Sequence, residues 1–128
     1  MSQVIPIPPL IPGDLEVSAL QVTVPKVIKS TVTQLVDATT AVTLNASAGI
    51  VTTFAETVAA NGTQAFTVNN TFVGTDTLVL ASVQDYAGTT GLPTVIVDNI
   101  ASNSFSLVVQ NGGSAALNGV LKISFLVV

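Results

Sequence analysis

The chain contains no cysteine, histidine, tryptophan or arginine. Each absence removes a class of chemistry. Without cysteine there are no disulfides and no thiolate metal ligands, and the sequence carries no mark of a redox compartment. Without histidine the commonest general base and transition-metal ligand is missing. Serine and threonine are abundant, but a hydroxyl nucleophile needs a base beside it, and no partner of that kind is in view. The expectation is a protein that is not an enzyme and that holds no cofactor or resident metal. Without arginine, Lys26, Lys29 and Lys122 face seven acids for a net charge of −4. Clustered phosphate contacts cannot be built from that set, so nucleic acid is not an expected partner.

Long apolar runs are lacking too. None approaches the ~18–20 residues that a membrane-spanning helix needs, and a β-barrel needs more strands than one copy holds. Met1-Ser2-Gln3 offers no basic leader region, and prolines interrupt the apolar residues that follow, so neither a membrane nor a secretion signal is expected. The shortage of charge is the most informative absence. Only 8% of the 128 residues are charged, against roughly 25% in an ordinary domain, while mean hydropathy is +0.71. A domain of this size keeps much of its surface in water, and charges normally cover it. Apolar surface therefore has to be buried between subunits or in a larger assembly.

What is present is a strand pattern. From Ser30 onward about eight strands are expected, over 31–36, 41–45, 50–56, 63–69, 77–86, 94–100, 104–110 and 119–128, with turn signals roughly every 8–14 residues. Ala46-Ser47-Ala48-Gly49, Asn61-Gly62, Ala101-Ser102-Asn103 and Asn111-Gly112-Gly113-Ser114 supply the turns. That spacing predicts an all-β fold, an antiparallel, jelly-roll-like β-sandwich over 30–128. Phe105, Leu107 and Val109 share a face, with Ser104, Ser106 and Gln110 opposite, and Leu121, Ile123, Phe125 and Val127 share another, with Lys122 and Ser124 opposite. Leu78-Val79-Leu80-Ala81 and Val95-Ile96-Val97 are apolar on both faces, which implies cover on both faces.

Residues 1–29 read differently. Five of the six prolines, Pro6, Pro8, Pro9, Pro12 and Pro25, fall there. Proline fixes φ and removes a donor, so residues 4–12 are expected to be extended and close to polyproline II. A strand-like alternation follows over 15–24. Disordered arms are usually polar, whereas this one is rich in Val, Ile and Leu. It is expected to lie on something, with Ile5, Ile7, Leu10 and Ile11 as its anchors.

The seven carboxylates, Asp14, Glu16, Asp37, Glu56, Asp76, Asp85 and Asp98, fall at predicted strand ends and loops and read as solvated acids. A calcium site from Asp76, Asp85 and Asp98 is the alternative, without the spacing of a known calcium loop. Asn45, Asn61 and Asn69 stand in glycosylation-type triplets that an Asn- and Thr-rich chain produces by chance. Tyr86, the single tyrosine, either closes the end of the core or stacks on a sugar from the 86–91 loop.

The runs Leu80-Ala81-Ser82-Val83-Gln84-Asp85-Tyr86, Gly91-Leu92-Pro93-Thr94-Val95, Ser104-Phe105-Ser106-Leu107-Val108-Val109-Gln110-Asn111 and Ala116-Leu117-Asn118-Gly119-Val120-Leu121-Lys122-Ile123-Ser124-Phe125 form one set. With Thr43-Leu44-Asn45-Ala46-Ser47-Ala48-Gly49, this set resembles small β-sandwich virion proteins of tailed bacteriophages. That loose group comprises capsid decoration (cement) proteins, head fibres and spike modules. The likeness covers about residues 40–128 and leaves the arm unmatched. It implies a homotrimeric module at capsid threefold positions, made in the host cytoplasm and resident on the virion surface. Such a protein binds the outer capsid surface and stabilises contacts between major capsid proteins. Its partners are further copies of itself and the major capsid protein or another virion protein. The second face of the closing strand, Val120, Leu126 and Val128, is the expected subunit contact. The alternative is a receptor- or glycan-binding module of a phage fibre or spike, with Tyr86 as the sugar contact.

Overall fold

The computed structural model describes residues 27–128. The expected anchors Ile5, Ile7, Leu10 and Ile11 lie outside the described residues, as does most of the proposed arm. Eight strands follow one another: β1 (Lys29–Thr33), β2 (Val42–Thr43), β3 (Ala48–Thr52), β4 (Thr63–Asn69), β5 (Val79–Tyr86), β6 (Pro93–Ala101), β7 (Ser104–Asn111) and β8 (Leu121–Val127). They form two four-stranded sheets, β1-β3-β8-β5 and β2-β4-β7-β6. These pack into the expected all-β sandwich.

The strict alternations in the sequence make the inner layers. Phe105, Leu107 and Val109 of β7 face Leu121, Ile123, Phe125 and Val127 of β8, and all seven are buried. β4 adds Phe66 and Val68, and β3 adds Val51. Phe105 and Phe125 meet edge to face across the sandwich, with ring centroids 5.3 Å apart and planes inclined at 66°. That is the geometry in which the positive edge of one ring meets the negative face of the other.

Within that sandwich the sheets are mixed, so the expectation of wholly antiparallel sheets requires a correction. β3–β8, β5–β8, β4–β7 and β6–β7 are antiparallel, but β1–β3 and β2–β4 are parallel. The cause is the path of the chain. It changes sheet after each of the first five strands, so a strand that returns to its own sheet has made one traverse of the other. Two reversals restore the original direction, and the intervening strand is the crossover that a parallel pair requires. Only β6 and β7 are joined as a hairpin within one sheet, and Asn103 in that turn adopts a left-handed φ of 69°.

Ala48 and Gly49, expected in a turn, open β3 instead. Gly49 faces inward between Leu44 and Phe125, where an added Cβ would lie 2.5 Å from Leu44 Cδ2 and 2.8 Å from the Phe125 ring. Gly49→Ala is therefore expected to cost about 1–3 kcal/mol through overpacking. The check is a fall in the urea unfolding midpoint; an unchanged midpoint would mean that Leu44 and Phe125 move aside freely.

The connections gather at two ends. Segments 34–41, 53–62, 87–92 and 112–120 share one. Segments 44–47, 70–78 and 102–103 share the other, together with the first described residues and the C-terminus. This placement follows from the registers, in which Lys29 pairs with Ala48, Ala48 with Leu126, and Leu126 with Leu80.

Candidate interaction face

Side chains alternate along β8 and along β5 up to its register shift between Val83 and Asp85, so Leu80, Ser82, Lys122, Ser124 and Leu126 point away from the core. On the outer face of the first sheet Leu80 pairs with Leu126. One step toward the C-terminal end, Leu78 and Val128 exchange both backbone hydrogen bonds, at 2.9 and 3.0 Å. Leu78, Leu80, Leu126 and Val128 thus form one block, and they are 67%, 64%, 38% and 70% exposed. Ala48 and half-buried Ile50 of β3 extend it sideways. In the next cross-strand row Ser82 and Ser124, whose hydroxyls are 3.3 Å apart, lie beside Ile50. These small residues leave shallow depressions in the sheet face. The charged pair in this sheet, Asp85 opposite Lys122, stands at the far end. In the other half of this sheet Lys29, at the β1 rim, is the one charged strand side chain. An exposed apolar block of this kind, rimmed by polar residues, is the usual mark of an interaction surface.

Of the three residues expected at a subunit contact, the structure brings Leu126 and Val128 together. It separates Val120, which is half-buried at the opposite end of β8, where its carbonyl accepts the Ala87 N–H at 2.9 Å. At about 3.3 Å per residue, Val120 is roughly 25 Å from Val128. Leu78 and Leu80 join the block in its place. Their signal was the two-sided apolarity of the strand. Leu35 and Val36, exposed in the β1–β2 connection at the opposite end, had no such signal.

That opposite end also carries a dense set of side-chain hydrogen bonds. Asn111 is buried and uses its whole side-chain capacity. Its Oδ1 accepts from the Leu92 and Gly113 N–H groups, at 3.0 and 2.9 Å. Its Nδ2 donates to the Val58 and Ala115 carbonyls, at 3.0 and 2.7 Å. Tyr86 is half-buried and packs on the core. Its hydroxyl donates to the Thr90 carbonyl at 2.6 Å and accepts the Asn118 N–H at 2.8 Å. Asn118 Oδ1 in turn accepts the Thr89 N–H at 2.7 Å. The phenol hydroxyl is thus committed to holding two loops together.

Glu56 departs from the expectation of solvated loop acids. It is 1% exposed, and neither carboxyl oxygen has a hydrogen-bond partner. Its backbone N–H donates to the Gly119 carbonyl, which draws the residue under the 119–121 segment. Burial pushes its carboxyl up to about 7, and nearby Thr53 offers a weaker pull in the opposite direction. Asp37, fully exposed, moves the other way, below the usual carboxylate range, because it accepts hydrogen bonds from Thr39 and Thr40.

Asp76, Asp85 and Asp98 are not brought together. Asp76 lies in the 70–78 segment, Asp85 near the far end of β5, and Asp98 on β6 of the other sheet. Among the described residues no group of three His, Cys, Asp or Glu side chains gathers to hold a metal ion. Among them, too, no helix is long and apolar enough to cross a membrane. No family model, curated protein or solved structure matches this chain.

Proposed function

We propose that this protein is a structural component of a phage virion, a capsid decoration protein that sits on the outer capsid surface and ties major capsid subunits together. It works without catalysis. Three copies associate at a threefold position, and the arm, through Ile5, Ile7, Leu10 and Ile11, reaches the neighbouring capsid subunits. The observation that carries this reading is the uncharged apolar block of Leu78, Leu80, Leu126 and Val128 on a domain with very few charges. Each of these side chains contributes about 1–3 kcal/mol when it passes from water into a contact. Three copies bound on one lattice add avidity that no single contact supplies.

The test is co-sedimentation with undecorated capsids. Removal of residues 1–12 is expected to weaken binding at least tenfold, and the intact chain is expected to saturate at three copies per threefold position. Undiminished binding by the shortened chain would overturn the docking role of the arm.

A further inference from the structure

We infer that, before assembly, residues 4–12 of the arm lie on the outer face of the first sheet of their own chain and cover Leu78, Leu80, Leu126 and Val128. The place where the described chain begins supports this occupant. The Ile28 carbonyl accepts the Ser47 and Ala48 N–H groups at 2.9 and 3.0 Å, so the chain joins the sheet beside the first residue of β3. Lys29 then pairs with Ala48, in the same cross-strand row as Leu126 and Leu80. From Lys29 to Leu80 is three strand spacings, roughly 14 Å. The 14 residues 13–26 separate the anchors from this entry point, and they span up to roughly 45 Å. A tether that short holds the arm at an effective concentration in the millimolar range.

The chemistry of the two surfaces agrees. The backbone groups in the middle of a sheet are already paired, so its face binds through side chains alone. A proline-rich segment suits that limit, because it lacks donors at its prolines and keeps the rest of its backbone in water. Polyproline II turns once in three residues. Pro6, Pro9 and Pro12 recur at that interval, and the same spacing predicts one ridge of Val4, Ile7 and Leu10 and another of Ile5, Pro8 and Ile11. Residues 1–13 carry no charged side chain, and among the strand side chains of the face they would cover only Lys29, at its rim, is charged.

The inference rests on the proposed function for one step, the release of the arm on the capsid. Covering the face in the free protein keeps copies apart until the lattice gathers them. An arm that leaves its own face for an equivalent site then exchanges like for like, which makes the swap a low-cost one.

Because the chain has no cysteine, Gln3→Cys creates a unique attachment point for a nitroxide on the full-length protein, beside the anchors and outside them. Methyl spectra of the same chain are expected to lose more than half the intensity of Leu78, Leu80, Leu126 and Val128, and to keep that of Leu35 and Val36 at the other end. Adding Leu10→Asp is expected to restore the lost signals. In an equal mixture of nitroxide-bearing, isotope-free copies with isotope-labelled, nitroxide-free copies, all signals are expected to persist. Loss in the mixture would place the arm on a second copy and overturn the inference, as would full intensity in both samples. Capsid co-sedimentation is read separately, so failure there with broadening intact overturns the proposed function and leaves the covered face standing.

Discussion

Replacing Asn111 by alanine is expected to lower stability by roughly 3–5 kcal/mol, a large share of the ~5–15 kcal/mol available to a domain of this size. The size of the effect follows from where its four side-chain bonds go. They tie the end of β7 to the 53–62 segment through Val58, to the 87–92 segment through Leu92, and to its own following loop through Gly113 and Ala115. An asparagine side chain has two donors and two acceptor positions, and all are used. Truncation leaves the Leu92 and Gly113 N–H groups and the Ala115 carbonyl without that partner. A fully buried group so orphaned costs about 1–3 kcal/mol, and these three bonds are part-buried, which places each toward the lower end of that range. The Val58 carbonyl is less affected, because it also accepts the Leu117 N–H at 2.9 Å. Water entering the gap offsets part of the loss. Asn111→Asp is expected to be no better than alanine, since it turns the donor toward two carbonyls into an acceptor and buries a charge. Urea unfolding curves check both variants, with the slope unchanged if the loss is in the folded state. A cost under about 1 kcal/mol for the alanine variant would show that the three loops hold their places without it.

Asn111 also shows what the sequence could and could not reveal. Its place beside Gly112 and Gly113 marks a turn, and the turn is there. Its role as a hub is invisible, because Val58 and Leu92 are 53 and 19 residues away. The same division holds for the fold. β7 and β8 were legible because one face of each is uniformly apolar and the other is polar in part, and a period of two has only one structural meaning. The parallel pairs were not, because a strand does not encode the direction of its neighbour; that is set by the order in which the chain visits the two sheets. Ala48-Gly49 reads as a turn by composition, yet Gly49 is a strand residue selected by the space that Leu44 and Phe125 leave. The exposed apolar face was half legible. The two-sided apolarity of β5 pointed to Leu78 and Leu80, and the apolar end of β8 to Leu126 and Val128; all four stand exposed on one face. Val120 shares their parity but sits at the other end of the strand, a distance that periodicity alone does not weigh against a contact.

Glu56 gives the second large effect, and its sign is opposite to that of ordinary acids. In the unfolded chain it ionises near 4.5, while in the folded protein burial holds the proton up to about pH 7. Below about pH 4.5 both states are protonated, and the residue sets no pH dependence. Between about 4.5 and 7 the unfolded chain releases its proton and the folded protein does not, so stability falls as the pH rises. Above about 7 the folded protein must carry an unpaired carboxylate, and the loss is complete. Allowing for residual solvent screening at the site, the loss is on the order of 1–3 kcal/mol. Asp37 acts in a separate window, since its lowered value adds stability that disappears only as the pH falls below the usual carboxylate range. Glu56→Gln preserves the shape of the protonated acid and removes the titration. Its neutral amide carries no charge to bury beside Thr53, whose hydroxyl oxygen accepts the Leu121 N–H at 3.0 Å. The variant is expected to match the parent protein near pH 4.5, to exceed it by on the order of 1–3 kcal/mol at pH 8, and to flatten the profile between. Urea midpoints measured across that range for the two proteins decide the matter. Parallel profiles would mean that the carboxylate finds water or a cation in the folded protein, and that burial does not hold its proton.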